Sequence, residues 1–441
     1  MDSKNFWEIL RPASQTYDIR ELVLRKGFLA DRHRTRTVAF GVNGSSWLNK
    51  IYDDFSAAEG QQQRLATLCT PFERLCWFSR LGASIVFVFD GDGIHPTLQR
   101  FRLQDCDEML DGFCRLIHAF GFYTHQAPAQ AEPELAYLNV VYALDAVISA
   151  STDIFLFKPT HVIRDFEELE PVQTGIPGCT QLIGAALVFS ALPELLAAVM
   201  ADSDNEHFDA RLADWRSQLD EELRTNQSFL LRREYPEVAD AIPVGFPSQQ
   251  TLGLLYANPK TSHDSPNAAH RLMANRHWFR LKSPKNACLA TLCREFFGWQ
   301  ENIIDNFHSH VWGGLLIRNL IRDAQLALPA TDRLGPTRIS CVLCQALLPE
   351  GPPSTYISYK VRVWVTAVAV EAAHAAGLAP HDLIADNVVF SLKLWIPGPI
   401  LKMSVPELLD GYLTTHQDLQ SNEAAYSNIL STVSVAALGL P

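Results

Sequence analysis

Four carboxylates stand where they could share divalent metal ions: Asp90, Glu132, Glu134 and Asp153. Asp90 follows the apolar run SIVFVF, and Asp153 follows a second apolar run, AVIS. A pair of Mg2+ ions concentrates so much positive charge that several carboxylates must lie close together to hold it. Ions held in this way stabilise the attacking and leaving oxygens of a phosphodiester. These residues together predict metal-dependent phosphodiester chemistry, although each acid taken alone is more typical of a cap or loop residue than of a metal ligand.

The elements that must position these acids alternate between strand and helix patterns in residues 1–165. Apolar, β-branched and amphipathic runs predict strands at 37–42, 84–90 and 146–149 and helices at 6–12, 106–122 and 134–145. Such alternation favours an α/β fold with a parallel sheet, whose sites form beyond the carboxyl ends of the strands. Asn43, Asp90 and Ser151 each follow such an end.

The remaining chain changes character twice. Residues 166–330 have mainly helical patterns, and 331–441 contain strand-like runs at 356–370 and 387–401. We therefore expect three parts: the parallel-sheet domain, a helical region, and a small β-containing C-terminal domain.

The composition is that of a globular protein, with 47% hydrophobic and 20% charged residues. The formal net charge of -12 disfavours nucleic-acid binding unless a local basic patch exists. RHRTR at 32–36 could be such a patch, a nuclear signal or a solvated loop. Nine cysteines, an odd number, predict reduced thiols, and no secretory signal is evident at the N-terminus.

Two further segments leave alternatives open. CVLC at 341–344 could contribute to a zinc site, but it lacks a second such pair and is expected to lie in or near a strand. The apolar run at 182–192 is about half the length that a bilayer crossing needs. A pair of buried helices is favoured over 171–201, with a membrane span as the alternative.

The ordered motifs resemble the XPG family of structure-specific nucleases, most closely the branch with the Holliday-junction resolvases and fungal PIN domain-like proteins. The motifs are FWEIL, VAFGVNGSSWL, FVFDG, AFGFYTHQAPAQAEPELAYLN, DAVISASTDIFLF and GIPGC. KLWIPGPIL near the C-terminus resembles a chromodomain segment. The resemblance implies a PIN-like fold, Mg2+ as cofactor, and cleavage of branched or flap DNA in nuclear repair.

Carried over position by position, the family's metal ligands fall on three acids and three neutral residues. They are Asn43, Asp90, Gln130, Glu132, Ser151 and Asp153, and Glu170 stands in the place of the last metal acid. Asn43, Gln130 and Ser151 replace carboxylates. The resemblance therefore implies weakened metal binding, with Asp90, Glu132 and Asp153 as the remaining catalytic candidates.

The family's DNA-binding segments are also altered. Residues 91–113 contain only Arg100 and Arg102 against five acids. GIPGCT resembles a helix-hairpin-helix turn whose Gly175 and Gly178 amides would grip a phosphate, although it could equally be a plain turn between helices. Thr180 replaces the second glycine of that turn.

Three functions remain open from sequence. The first is a catalytically impaired family member that binds nucleic acid or a protein partner. The second is an active nuclease that supplements its remaining acids with Glu134, Asp92 or Glu170. The third is a scaffold for protein interactions, without nucleic acid.

Overall fold

The structure is a computed structural model of the 441-residue chain. It describes residues 14–93, 107–149, 154, 157–164, 180–184, 213, 217, 220–221, 224–225, 236–241, 259–264, 275–326, 338–346, 356–378 and 390–416.

Seven strands form the larger sheet, in the spatial order β1-β7-β6-β5-β2-β3-β4. They are β1 Ser14–Tyr17, β2 Ala39–Asn43, β3 Ser84–Phe89, β4 Tyr123–Gln126, β5 Ala146–Ser149, β6 His161–Arg164 and β7 Thr180–Gly184. Strands β6-β5-β2-β3-β4 run parallel, whereas β7 and β1 extend the β6 edge in antiparallel fashion. The predicted α/β class with a parallel sheet is confirmed.

The central strands are apolar because both of their faces are covered. All six residues of β3 are buried, as expected for a parallel strand between helical layers. On β2, a Cβ at Gly41 would lie within 2.6 Å of side-chain atoms of Leu135 and Leu144, so a larger residue there would force these two side chains to move.

Helices flank the sheet and continue after it. In the first part they are α1 Ile19–Leu22, which continues as a π-helical segment at Val23–Leu29, α2 Gly44–Ala57, α3 Gln61–Ala66, α4 Cys69–Leu81, α5 Asp107–Ala119 and α6 Ala131–Val140. Later elements are α7 Pro236–Ala241, 3-10 turns at Ser262–Asp264 and Asn275–Phe279, α8 Asn286–Phe297, α9 Ile303–Asn306 with a π-helical segment at Phe307–Val311, and α10 Trp312–Leu326.

A smaller antiparallel sheet lies in the C-terminal part, with the order β10-β9-β8. Its elements are β8 Arg338–Ala346, β9 Ser358–Trp364, α11 Thr366–Ala375, β10 Ser391–Pro397, α12 Gly398–Ser404 and α13 Pro406–Thr415. This agrees with the expected β-containing C-terminal domain.

One hydrophobic core joins these parts. A single cluster of buried side chains extends from Ile19 to Leu413. Helix α10 packs directly on α4, where a Cβ at Gly314 would lie 2.1 Å from Ser79 Oγ. The core therefore continues across residues 165 and 330, where the composition changes.

The buried Arg318 side chain adds a polar connection between the parts. It donates to the carbonyl oxygens of Lys282 at 2.7 Å, Ala83 at 2.8 Å and Gly121 at 3.4 Å. Its guanidinium carbon lies 4.8 Å from the centroid of the Phe122 ring. One side chain thus ties α10 to the sheet domain.

The structure corrects three predictions of local structure. Residues 180–184, expected in a helical pair, form β7 because they pair with both β1 and β6. The strand predicted over 356–370 ends at Trp364, and the alanine-rich segment that follows forms α11. The strand predicted over 387–401 ends at Pro397, and α12 begins at Gly398 with Pro399 in its first turn.

Cys341 and Cys344 lie in β8, which agrees with the expectation that CVLC lies in or near a strand. No helix in the described ranges is both long and apolar enough to cross a membrane.

Candidate functional site

The carboxyl edge of the parallel sheet brings together four of the predicted site residues: Asn43, Asp90, Gln130 and Glu132. Asn43 ends β2 and Asp90 follows β3, and these two strands are paired neighbours. The Asp90 amide donates to Ser45 Oγ at 2.8 Å, which joins the start of α2 to the end of β3. Gln130 and Glu132 flank Ala131, whose amide donates to Asp90 Oδ1 at 2.8 Å.

The other predicted residues lie outside the described ranges. They are Ser151, Asp153 and Glu170 among the metal positions, and Gly175, Gly178, Arg100 and Arg102 among the DNA-binding positions. For these residues the sequence assignments remain predictions.

A short ladder of backbone hydrogen bonds fixes the loop that follows Asp90. Ala127 N donates to Phe89 O at 2.8 Å, and Gly91 N donates to Ala129 O at 2.6 Å. A Cβ at residue 91 would lie 1.8 Å from the Ala127 carbonyl oxygen, which excludes every residue except glycine. Gly91 therefore allows the close approach that carries Asp90 to the start of α6.

Asp90 provides the N-terminal cap of α6. Gln130 occupies the usual capping position, but its side chain makes no capping hydrogen bond. The Asp90 carboxylate instead accepts from Ala131 N, where the helix dipole also favours a negative charge. Burial raises the pKa of Asp90, opposed by the hydrogen bonds from Ala131 and Ser45. Asp90 thus has a structural role that requires no metal.

Asn43 provides the corresponding cap of α2. Its Oδ1 accepts from Ser46 N at 2.9 Å, and its backbone is extended at the position before the helix. An amide oxygen used in this way has less capacity for a cation, and it carries no net charge. The neutral residue at this position therefore satisfies the helix end.

Glu134 is withdrawn from the edge. Its side chain is fully buried and accepts from Ser262 N at 2.7 Å and from Ser262 Oγ at 2.6 Å. His125 Nε2 lies 2.8 Å from the same carboxylate. These partners account for both oxygens, so Glu134 does not substitute for a lost ligand at the edge. Asp92, the other described substitute, is exposed.

The sequence prediction did not find this buried cluster. Ser262 is 128 residues from Glu134, in a segment that has no pattern pointing to α6. The sequence did contain one signal for such a cluster: Glu134 stands among the apolar residues of α6. A carboxylate buried in this way needs hydrogen-bond partners from elsewhere in the chain.

Comparisons with known proteins find a family model and solved structures that are similar to this chain. The family model "XPG I-region" matches residues 121–182, which include β4, α6, β5 and β6. Residues 121–182 are therefore similar to an XPG I-region. Gln130 and Glu132 lie within it, and the predicted resemblance to the XPG family is confirmed.

Solved structures share the fold of this chain. The Holliday junction-resolving enzyme GEN1 in complex with product DNA and Mg2+ has a TM-score of 0.60 and 21% identity, covering 94% of this chain and 99% of that one. Human GEN1 in complex with Holliday junction DNA has a TM-score of 0.54 and 15% identity, covering 95% and 99%. A search of curated protein sequences found no match. The PIN-like α/β fold is therefore confirmed.

The described residues in and around the matched segment 121–182 do not fit a pair of Mg2+ ions. In the described ranges, no group of three or more His, Cys, Asp or Glu side chains could hold a metal ion. Asp90 and Glu132 are the carboxylates that the described edge supplies at family positions. Asp90 already accepts a backbone hydrogen bond, and Asn43 and Gln130 bring no charge.

The raised pKa of Asp90 predicts a pH-dependent effect of Asp90→Asn. Its folded pKa lies above the unfolded value, so wild-type stability is lost as pH rises through the folded pKa. Asparagine retains the oxygen that accepts from Ala131. Relative to wild type, we expect the Asp90→Asn melting temperature to increase from pH 4 to pH 7.5, measured by calorimetry in EDTA. Asp92→Asn, at an exposed site, is the control; equal pH dependence of the two variants would contradict this prediction.

Proposed function

We propose that this protein binds branched DNA on an XPG-type fold and is impaired in Mg2+-dependent cleavage. The observation that supports impairment most directly is the use of the edge side chains: Asp90 and Asn43 cap helices, and Glu134 is buried elsewhere. The resemblance to the XPG family extends this proposal to a role in DNA repair in the nucleus.

Electrostatics gives the size of the deficit. At an effective dielectric of 20, each pair of unit charges about 4 Å apart contributes roughly 4 kcal/mol. If about half of this is realised, loss of three carboxylates weakens divalent binding by about 10^4-fold. Relief of carboxylate repulsion reduces the loss. The remaining acids could hold one ion weakly but would not organise two.

The outer face of the smaller sheet supports nucleic-acid binding. Its register sets Arg362 directly opposite Lys393 and Lys360 opposite Trp395. Lys360 Nζ lies 5.7 Å from the centroid of the Trp395 ring, and 39% of the Trp364 surface is exposed. A like-charged cross-strand pair is unfavourable unless an anion neutralises it. Cations interleaved with aromatic rings suit phosphates and bases.

The three strands of this sheet contain no Asp or Glu. Close to this surface, its positive charges would attract nucleic acid, although the overall charge of -12 repels nucleic acid at longer range. We define it as the basic sheet face, comprising Lys360, Arg362, Trp364, Lys393 and Trp395.

Neutralising the basic sheet face should weaken DNA binding. For Lys360→Gln/Arg362→Gln/Lys393→Gln, we expect the affinity for a four-way junction to fall about tenfold or more, because up to three phosphate contacts are lost. The slope of log affinity against log salt should decrease by up to about three. Fluorescence anisotropy over a salt series measures both. Lys260→Gln/Arg294→Gln/Lys402→Gln removes equal charge from exposed positions elsewhere. Equal affinities and slopes in the two variants would contradict a role for this face.

The test of function is an assay of binding and cleavage on labelled flap and four-way-junction DNA in Mg2+ and in Mn2+. We expect retained binding and no cleavage. The control variant is Asp90→Asn, because it retains the helix-capping oxygen that Asp90→Ala would remove. Cleavage by wild type that Asp90→Asn abolishes would establish the active-nuclease alternative. Absence of all DNA binding would instead favour a protein-interaction scaffold.

A further inference from the structure

The loop between the first π-helical segment and β2, residues 31–36, has an unusual backbone. Asp31, Arg34 and Arg36 adopt positive φ angles of 46°, 57° and 50°. Left-handed backbone is unfavourable for residues that have a Cβ, so surrounding contacts must hold this loop in place. Strain of this kind often occurs where a protein fixes functional side chains.

The contacts that hold the loop come from its inward-facing residues. The Arg36 amide donates to Asp31 Oδ1 at 2.8 Å, and its guanidinium donates to Phe28 O at 3.3 Å. The His33 ring stacks on Phe279 with centroids 3.7 Å apart, and its Nε2 lies 3.0 Å from Asp145 Oδ1. The loop is therefore fastened to the sheet domain. It does not have the extended, unfolded form expected of a nuclear signal.

The outward-facing residues of the loop are basic. Arg32 and Arg34 are exposed, and neither they nor nearby Lys26 forms an ion pair within the described part of the chain. Burial, and then the positive charges of Arg32 and Arg25, lower the pKa of Lys26, which places these cations close together.

The acids around the loop already have partners. Asp31 lies 3.9 Å from Arg36, Asp145 contacts His33, and Glu21 lies 2.8 Å from Arg25. Lys26, Arg32 and Arg34 therefore leave a local excess of positive charge, which we define as the basic loop cluster. Guanidinium groups held on a rigid backbone match the two-oxygen geometry of a phosphodiester.

The position of the basic loop cluster on the sheet indicates which part of a branched DNA it could contact. The loop precedes β2 and lies at the amino end of the parallel strands, whereas Asp90 lies at their carboxyl end. Five residues of strand separate the two edges by about 17 Å. A single duplex across the carboxyl edge would not follow the sheet to its opposite edge, but a second, diverging arm of branched DNA could reach it.

We propose that Lys26, Arg32 and Arg34 bind the phosphate backbone of a second duplex arm, at the sheet edge opposite Asp90. This inference rests on the proposed function, namely binding of branched DNA. The cluster makes backbone contacts and does not read sequence.

The test compares binding of a four-way junction with binding of a linear duplex of the same arm sequence, using Arg32→Gln/Arg34→Gln in the full chain. We expect junction affinity to fall about tenfold and its salt slope to decrease by about two, because two phosphate contacts are lost. Linear-duplex affinity should change less than twofold. Hydroxyl-radical footprints should lose protection on one junction arm.

Two control variants accompany this test. Arg294→Gln/Lys402→Gln removes the same charge from exposed positions elsewhere and should leave the junction footprint intact. Arg32→Lys/Arg34→Lys retains the charge and should restore most of the affinity, which also reports a folded loop.

Equal losses on junction and linear duplex, or an unchanged footprint with full junction affinity, would overturn the second-arm site while leaving branched-DNA binding intact. Failure of wild type to bind the junction would instead overturn the proposed function itself, and this inference with it.

Discussion

Restoring the three missing carboxylates is expected to raise divalent affinity by about 10^3- to 10^4-fold. The variant is Asn43→Asp/Gln130→Glu/Ser151→Asp. Aspartate retains the oxygen that caps α2 through Ser46, and Asn43 and Gln130 already lie beside Asp90 at the carboxyl edge. Each added charge increases the attraction for a cation, while repulsion between carboxylates limits the gain. Titration calorimetry with Mn2+ and Mg2+ measures the change.

The matched control adds the same charge away from the edge. Gln61→Glu/Gln63→Glu/Gln300→Glu changes exposed residues and should alter divalent affinity less than tenfold. Adding Asp90→Asn to the restored variant should remove most of the gain. Equal affinities of the restored and control variants would show that the carboxyl edge is not the site of the deficit.

Replacing Arg318 with methionine is expected to lower the free energy of unfolding by about 3–5 kcal/mol. The guanidinium is fully buried and donates to carbonyls from three separate segments, at Ala83, Gly121 and Lys282. Methionine fills similar space but donates no hydrogen bond, so three carbonyl groups lose their donor. Urea unfolding monitored by circular dichroism measures the difference.

Arg322, one turn further along α10, provides the control. Its side chain is partly exposed, donates to Ser283 Oγ at 3.2 Å and lies 3.6 Å from the buried carboxylate of Asp323. Arg322→Lys keeps a positive charge beside Asp323 and should cost no more than about 1 kcal/mol. If Arg318→Met unfolds at the same urea concentration as Arg322→Lys, the connecting role of Arg318 is wrong.

Local sequence patterns predicted the elements around the site well. The apolar run SIVFVF became β3, and the amphipathic run at 106–122 became α5 Asp107–Ala119. These elements depend on periodicity and burial, which a sequence displays directly. The neutral residues Asn43 and Gln130 were also predicted at the edge, because the family motifs fix their register.

Long-range hydrogen bonding could not be predicted in the same way. Neither the capping of α6 by Asp90, 41 residues before Ala131, nor the contact of Ser262 with Glu134 has a local signature. The strand β7 was missed because its apolar residues fit a buried helix equally well until their pairing with β1 and β6 is known. Tertiary pairing, rather than propensity, decides such segments.

The number of Mn2+ ions that wild type binds tests the account most directly. Electron paramagnetic resonance distinguishes isolated Mn2+ from two ions a few ångströms apart, whose spins couple. At millimolar Mn2+ we expect at most one weakly bound ion that depends on Asp90, with no coupled signal. A spin-coupled pair in wild type that Asp90→Asn removes would contradict the account.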